Sequence, residues 1–380
     1  MIYLELLVRS INKLNMKNKN IKLNFLIAAG GTGGHLFPAM AVGEQLEKLT
    51  DNNINLFYIG TENRMESRII PEKGYKYFSM PIHGFAGISL KSLKLPLSIL
   101  KSVSIAKNII KENNIDAVIV AGAYISYPPG LAAFKLKVPL FLMESNVNLG
   151  KSNKALSYKA TKIFTSYKET EKYIHEDLKS NIYQFGNPLR ESISQFPDKN
   201  EAVKKFYLDI NKKTVLIMGG SLGAKSINIA IENNLGYISK SNWQFIWQTG
   251  KNYTIKSSLP ANVYSCQFIE DMSSAYSAAD LIISRSGATA SAEICLVGKP
   301  SILIPLSSAS NNEQYYNGKV IADNGGAFLI EDNKLGTDLI KKLDLLISDE
   351  KLRLKFSENA KKLANPNAAS DIAKEILNTI

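Results

Sequence analysis

Three glycine-rich turns, each running into a helix pattern, hold the residues of this chain best suited to chemistry. The first is Phe25-Leu-Ile-Ala-Ala-Gly30-Gly-Thr32-Gly33-Gly34-His35, an apolar run stopped by four glycines and continued at helical spacing through Glu47. Strand, glycine turn and helix together present backbone N–H groups and a positive helix end to an anion. Glycines also serve ordinary turns, but here Thr32 sits inside the loop and His35 at its exit. The second turn, Gly219-Gly-Ser221-Leu-Gly-Ala-Lys225, places Ser221 and nearby amides where a phosphate would bind at a helix start. In the third, Asp280 to Glu293, the small residues 286–292 allow close approach of a ligand to the backbone. Glu293 falls in the second turn of a helix beginning near Ala288, where a carboxylate either accepts two ribose hydroxyls or complements the helix dipole.

Two familiar nucleotide motifs fail on these loops. Leu36 stands where the third glycine of G-x-G-x-x-G belongs, which disfavours a nicotinamide enzyme. Ala224 replaces the glycine before Lys225 in the near-P-loop, and Asp280 precedes its strand instead of following it, which disfavours an ATPase.

The elements that must carry these turns form a repeated βα pattern. Apolar strands are predicted at Leu23–Ala28, Asn55–Ile59, Ala117–Ala121, Pro139–Met143 and Lys162–Thr165. A second series lies at Thr214–Met218, Phe245–Gln248, Val263–Gln267, Leu281–Ser284, Ser301–Ile304 and Ala327–Leu329. Helical stretches between them imply an α/β chain with two Rossmann-like, doubly wound parallel-sheet domains facing an interdomain cleft, where such sheets bind ligands. The expected divisions are an N-terminal extension at 1–20, a first domain at 21–186, a second domain at 187–364, and a C-terminal helix at 365–380 that packs back on the first domain. The extension is either genuine or a start-site artefact ahead of Met16; with Glu5 and Arg9 and no basic lead-in it reads poorly as a signal peptide.

A net charge of +12 fits an anionic partner (nucleic acid, a phosphorylated substrate or an acidic membrane face) or else a Lys-rich, Asn-rich composition with no partner behind it. Cys266 and Cys295 form no CxxC pair and three histidines (His35, His83, His175) give no basis for a metal site, which fits a reducing compartment. No recognisable nucleic-acid-reading module is present, so no nucleic-acid partner is expected.

Seven motifs then occur in order: Gly30 to His35, Gly122-Ala-Tyr124-Ile-Ser-Tyr-Pro128, Gly186-Asn-Pro-Leu-Arg190, Gly219 to Gly223, Phe268-Ile269-Glu-Asp-Met272, Arg285 to Glu293, and Glu313-Gln314-Tyr-Tyr-Asn317. Together they resemble the bacterial MurG family, cell-wall N-acetylglucosaminyltransferases of GT-B architecture, from about Lys22 to the C-terminus. The resemblance implies an inverting, metal-independent transfer of GlcNAc from UDP-GlcNAc to the 4-hydroxyl of MurNAc in lipid I (undecaprenyl-diphospho-MurNAc-pentapeptide), giving lipid II, with no cofactor. Carried over by position, Thr32, Gly33 and Gly34 touch the donor, Asn146 and Gln314 read the sugar, and Arg190 and Ser221 hold the diphosphate. The backbone of Ile269 meets uracil, and Ala288, Thr289, Ala290, Ser291, Ala292 and Glu293 line the nucleotide, with Glu293 on the ribose. His35 is the candidate base, its ordinary pKa suiting the task, or else it binds the acceptor's diphosphate; Glu144 is a lesser candidate base. Tyr124 is placed at the acceptor. Since that acceptor lives in a membrane, Phe85, Lys91, Lys94 and Lys101 are expected on an amphipathic surface against anionic lipid, making the enzyme peripheral on the cytoplasmic side of the plasma membrane; a core-facing helix with solvated lysines is the alternative. The chain departs from the family pattern at Met143 and Ser145, at Glu313, and at Ala123, where a second glycine is common. The nearest alternative activity is transfer of glucose to a diacylglycerol.

Overall fold

The computed structural model describes residues 22–83, 95–193, 195–220 and 222–380. The extension at 1–20, together with Phe85, Lys91, Lys94 and Ser221, lies outside the described residues.

One compact unit takes in the described residues up to Ser145, Leu149–Pro188 and Asn367–Ile380. Its strands are β1 (Leu23–Ala28), β2 (Ile54–Thr61), β3 (Lys76–Met80), β4 (Ala117–Val120), β5 (Leu140–Glu144), β6 (Lys162–Thr165) and β7 (Ile182–Gln184). They pair in parallel in the order β3-β2-β1-β4-β5-β6-β7. Helices α1 (Gly33–Leu49), α2 (Met65–Glu72), α3 (Leu95–Glu112), α4 (Tyr127–Leu136) and α5 (Lys151–Leu156) connect them. Strands covered on both faces read as continuous apolar runs, and every residue of β4 and β5 is buried. One face packs Leu26, Val118 and Leu142 against Val103, Ala106 and Ile110 of α3; the other packs Phe25, Ile27 and Phe141 against Leu36, Met40 and Leu46 of α1.

The other unit takes in Asn146–Asn148 and Leu189–Pro366. After α6 (Lys199–Lys205) come β8 (Thr214–Met218), α7 (Lys225–Glu232), α8 (Leu235–Ile238), β9 (Gln244–Gln248), β10 (Val263–Cys266), α9 (Met272–Ala278), β11 (Leu281–Arg285), α10 (Ala288–Val297), β12 (Ser301–Ile304), α11 (Glu313–Asp323) and β13 (Ala327–Leu329). Helices α12 (Leu335–Ser348) and α13 (Glu350–Lys362) complete it. The sheet order is β10-β9-β8-β11-β12-β13, again parallel. The last helix, α14 (Ala368–Leu377), belongs to the first unit: Ile372, Ala373 and Ile376 join the core beside α1, and Glu375 pairs with Lys162 of β6.

Strands β3 and β7 are absent from the sequence reading. Both lie at a sheet edge, and the half-buried or exposed positions in Lys76–Met80 and Ile182–Gln184 break the apolar run that marks a central strand. Each sheet reverses its order beside its first strand, at β1/β4 and at β8/β11. Loops at such reversals are where parallel sheets place ligand contacts, and all three glycine turns leave strands at those two points.

Candidate active site

In the first unit, α1 begins inside the glycine turn, with Thr32 as its N-cap. A buried carboxylate fixes the turn. Glu66, fully buried, accepts hydrogen bonds from the Gly31 amide at 3.1 Å and, through its other oxygen, from the Thr61 amide at 3.2 Å and the Thr61 hydroxyl at 2.7 Å. A Cβ on Gly30 would fall 2.3 Å from the Glu66 carboxyl carbon, and the φ of +150° there suits glycine. Sequence reasoning missed Glu66; its one signal is an acid in the first turn of α2, the helix that follows β2.

His35 stands one residue past the glycines, half-buried, with Nδ1 3.1 Å from the Thr32 hydroxyl oxygen. The imidazole's far edge lies on Gly122, in the loop after β4: a Cβ there would sit 3.1 Å from Cδ2 and 3.3 Å from Nε2. The Nε2 edge thus touches the loop on the other side of the strand-order reversal because residue 122 lacks a side chain. Burial pushes the His35 pKa down to about 4. The sequence reading relied on an ordinary imidazole pKa; desolvation corrects that, and the ring is neutral at pH 7. Tyr124, half-buried, lies over Gly31, with its ring edge 3.9 Å from a Cβ position there. Glu144 is buried, and its carboxylate accepts from the Gly150 amide at 2.8 Å and from the Asn153 side chain at 3.0 Å.

Ala123 has φ +58° and ψ 174°. That region is close to glycine-only and costs about 1–3 kcal/mol for another residue. Ala123→Gly is expected to stabilise the protein by about 1 kcal/mol once the extra unfolded-state entropy of glycine is subtracted; the urea midpoint checks it, and an unchanged or lower midpoint contradicts it.

In the second unit the structure brings Arg190 and Glu293 together, with Arg190 Nη2 3.7 Å from Glu293 Oε1. Glu293 lies in the second turn of α10, whose N-cap is Gly287. Tyr276 of α9 donates its hydroxyl to Glu293 Oε2 at 2.8 Å. Burial raises the Glu293 pKa, while the Tyr276 hydroxyl and the Arg190 charge pull it back. Gln314, on α11, accepts the Leu306 amide at its Oε1 (3.0 Å), which leaves Nε2 facing Gly287 at 4.0 Å from a Cβ position. Asn146 is held by Asn317, a fully buried residue of α11: Asn317 Nδ2 donates to Asn146 Oδ1 at 2.9 Å and its Oδ1 accepts the Val147 amide at 3.0 Å. The Ile269 side chain is buried in the core and anchors the loop after β10. Along α10, Ala288 and Ser291 are buried and Thr289, Ala290 and Ala292 are half-buried.

Arg285 braces this unit. Its guanidinium reaches Asp332 Oδ1 and Ser226 Oγ, both at 2.7 Å, and the carbonyls of Ile304 and Pro305. Burial works to raise the Asp332 carboxyl, but Arg285 and Ser226 outweigh it and hold the group below its usual range. The end of β11, the start of α7, the end of β12 and the segment after β13 are tied to one ion pair in this way. Tyr276 and Asp332 carried no sequence signal, because each lies far along the chain from the group it holds; Asn317 closes the Glu313–Asn317 motif, but nothing in that motif points to Asn146.

Among the described residues, no group of three or more His, Cys, Asp or Glu side chains could hold a metal ion. Lys101 is exposed on α3.

The model of the glycosyltransferase family 28 N-terminal domain matches residues 25–165, and that of the C-terminal domain matches 214–376. A curated relative from Bacteroides thetaiotaomicron, the UDP-N-acetylglucosamine--N-acetylmuramyl-(pentapeptide) pyrophosphoryl-undecaprenol N-acetylglucosamine transferase, is 35% identical over 94% of this chain and 97% of its own. The chain belongs to glycosyltransferase family 28. A relative of the same name from Christiangramia forsetii is 36% identical over 93% of this chain and 97% of its own. The crystal structure of Acinetobacter baumannii MurG matches with a TM-score of 0.74 at 28% identity, covering 94% of this chain and 99% of that one. The two parallel-sheet, Rossmann-like units are therefore those of a GT-B glycosyltransferase of family 28.

Proposed function

We propose that this protein transfers N-acetylglucosamine from UDP-N-acetylglucosamine to the 4-hydroxyl of the N-acetylmuramyl group of lipid I, forming lipid II. The observation that carries the reading is end-to-end similarity to transferases of that name, with over nine-tenths of both chains aligned. In the second unit Glu293 accepts the ribose hydroxyls, Arg190 lies beside the diphosphate, Gln314 and Asn146 read the sugar, and α10 lines the nucleotide. Ser221, outside the described residues, keeps its assignment to the diphosphate from the motif alone. In the first unit Thr32, Gly33 and Gly34 of the glycine turn contact the donor, while Tyr124 and His35 face the acceptor.

The acceptor's O4 forms a bond to the anomeric carbon while the bond from that carbon to the diphosphate breaks with inversion. UDP leaves with the electron pair, and the O4 proton passes to His35. A base role for Nε2 requires the tautomer in which Nδ1–H donates to the Thr32 hydroxyl. The neutral ring favours this role over that of a cation for the acceptor's diphosphate. Charge developing on UDP is met by Arg190 and by helix N-terminal amides, which act strongly where water is excluded.

The test is incubation of purified protein with UDP-N-acetylglucosamine and a lipid I analogue. Released UDP with a β(1→4) disaccharide product is expected. Glucose transfer to diacylglycerol with none to lipid I would overturn the assignment.

A lipid-borne acceptor requires membrane docking, and α3 offers a surface for it. Val103, Ala106 and Ile110 face the core, while Leu97 and Leu100 are 70% and 64% exposed beside Lys101. Among the described residues no helix is long and apolar enough to cross a membrane. Peripheral attachment to the cytoplasmic face through this surface suits both facts. Replacing Leu97 and Leu100 together by Ser is expected to weaken binding to phosphatidylglycerol vesicles at least tenfold, since each buried leucine contributes about 1.5–3 kcal/mol. Vesicle sedimentation measures it, and unchanged binding would move the docking surface elsewhere.

A further inference from the structure

We propose that Tyr276 is a positioning residue for the donor, holding one oxygen of Glu293 so that the carboxylate meets the ribose diol in a single orientation. The inference rests on the ribose reading of Glu293 and goes beyond it by naming what sets the selectivity.

Tyr276 is fully buried on α9, the helix before β11, whereas Glu293 lies on α10, the helix after it. The tyrosine ring packs in the core with Met218, Ile246, Ile282 and Leu303, so its hydroxyl has a fixed position. That hydroxyl is 2.8 Å from Glu293 Oε2 and 3.9 Å from the Met218 sulfur, a much weaker acceptor. The terminal torsion of a glutamate is broad and two-fold, so an untethered carboxylate would turn and offer either oxygen. A charge-assisted bond from a rigid donor removes that freedom. Oε2 is thereby oriented by the protein core, and Oε1 is turned toward Arg190 at 3.7 Å. A cis-diol donating two hydrogen bonds then meets a carboxylate already aligned for it, and less ordering remains to be done on binding.

The same bond favours the ionised form of the carboxylate. Burial raises the Glu293 pKa and the tyrosine opposes that rise, so losing the hydroxyl shifts the protonation of Glu293 to higher pH.

The experiment compares wild type with Tyr276→Phe, which keeps the ring and its packing, using UDP-N-acetylglucosamine and its 2′-deoxy and 3′-deoxy uridine analogues. Expected for Tyr276→Phe is a donor KM raised about tenfold with kcat within about twofold, the signature of lost binding rather than lost chemistry. The penalty for a missing ribose hydroxyl shrinks relative to wild type, and on lowering the pH the donor KM begins to climb at a higher pH. Met218→Leu, which removes the sulfur near the hydroxyl, keeps wild-type values. In a Glu293→Ala background, Tyr276→Phe adds no further rise in donor KM.

If Tyr276→Phe shows the wild-type KM and the wild-type deoxy penalty, the positioning role is overturned. A variant with lowered Tm and kcat but an unaltered deoxy penalty overturns it as well, since that is what a packing role alone predicts. If instead wild type uses the deoxy donors as well as the parent, the ribose reading itself fails, and that result is distinct from either of the others.

Discussion

His35→Ala is expected to lower kcat by about 10²–10⁴-fold, the range of a positioned general base, with donor KM within about threefold of wild type. The donor contacts assigned here to Glu293, Arg190 and Gln314 lie on other elements and do not depend on the imidazole. A kcat near wild type would remove His35 from the chemistry. The pH profile separates the base from an ordinary surface histidine. An unperturbed imidazole would lose its lone pair below pH 6.5. Burial lowers the His35 pKa to about 4, so the active neutral form persists as pH falls, and the His35-dependent acid limb is displaced toward pH 4. Acceptor kcat/KM is therefore expected to stay flat between pH 7.5 and 5.5. A half-maximal point near 6.5 would contradict the burial. Stability follows the same linkage: the folded-state pKa is below the unfolded value, so unfolding takes up a proton between about pH 6.5 and 4, and stability falls as pH drops through that window. His35→Ala should flatten that part of a plot of Tm against pH.

Glu293→Ala is expected to raise donor KM about 10²–10⁴-fold through loss of two hydrogen bonds to a charged acceptor, each contributing about 1.5–3 kcal/mol. Because kcat reports events after binding, it should change much less. The substitution also leaves the buried Tyr276 hydroxyl without its acceptor, which costs about 1–3 kcal/mol of stability. Kinetics are best read where circular dichroism shows the variant folded. Donor affinity unchanged by isothermal titration, with folding intact, would end the ribose assignment and leave Glu293 as a structural acid.

These two residues illustrate why the site was half legible. Both lie within the first two helical turns after a glycine-bearing strand–helix junction, so the motif that predicts the turn also predicts where on the helix they stand. The turn before His35, the helix that carries Glu293 and the parallel sheets are all local or periodic features, and these elements lie where the sequence predicts them. The chemistry of His35 was not legible, since a pKa depends on what excludes water from the ring.

By itself, the sequence determined where the central strands run, that they are parallel, and which strand–helix junctions carry glycine turns. It could do so because the hydrophobic pattern of a doubly covered strand and the backbone needs of a glycine turn are written into consecutive residues. Only the tertiary structure decided that Glu66 anchors the first glycine turn, that Asn317 holds Asn146, that Tyr276 grips Glu293, and that Arg285 gathers its loops about Asp332. It also decided that β3 and β7 exist, because short edge strands are recruited by a neighbour already in place. Such pairings join residues from different strands and helices, and a buried hydrogen bond between distant positions leaves no periodicity in the chain. They form because burial without a partner would cost each of those polar groups more than the fold can spare.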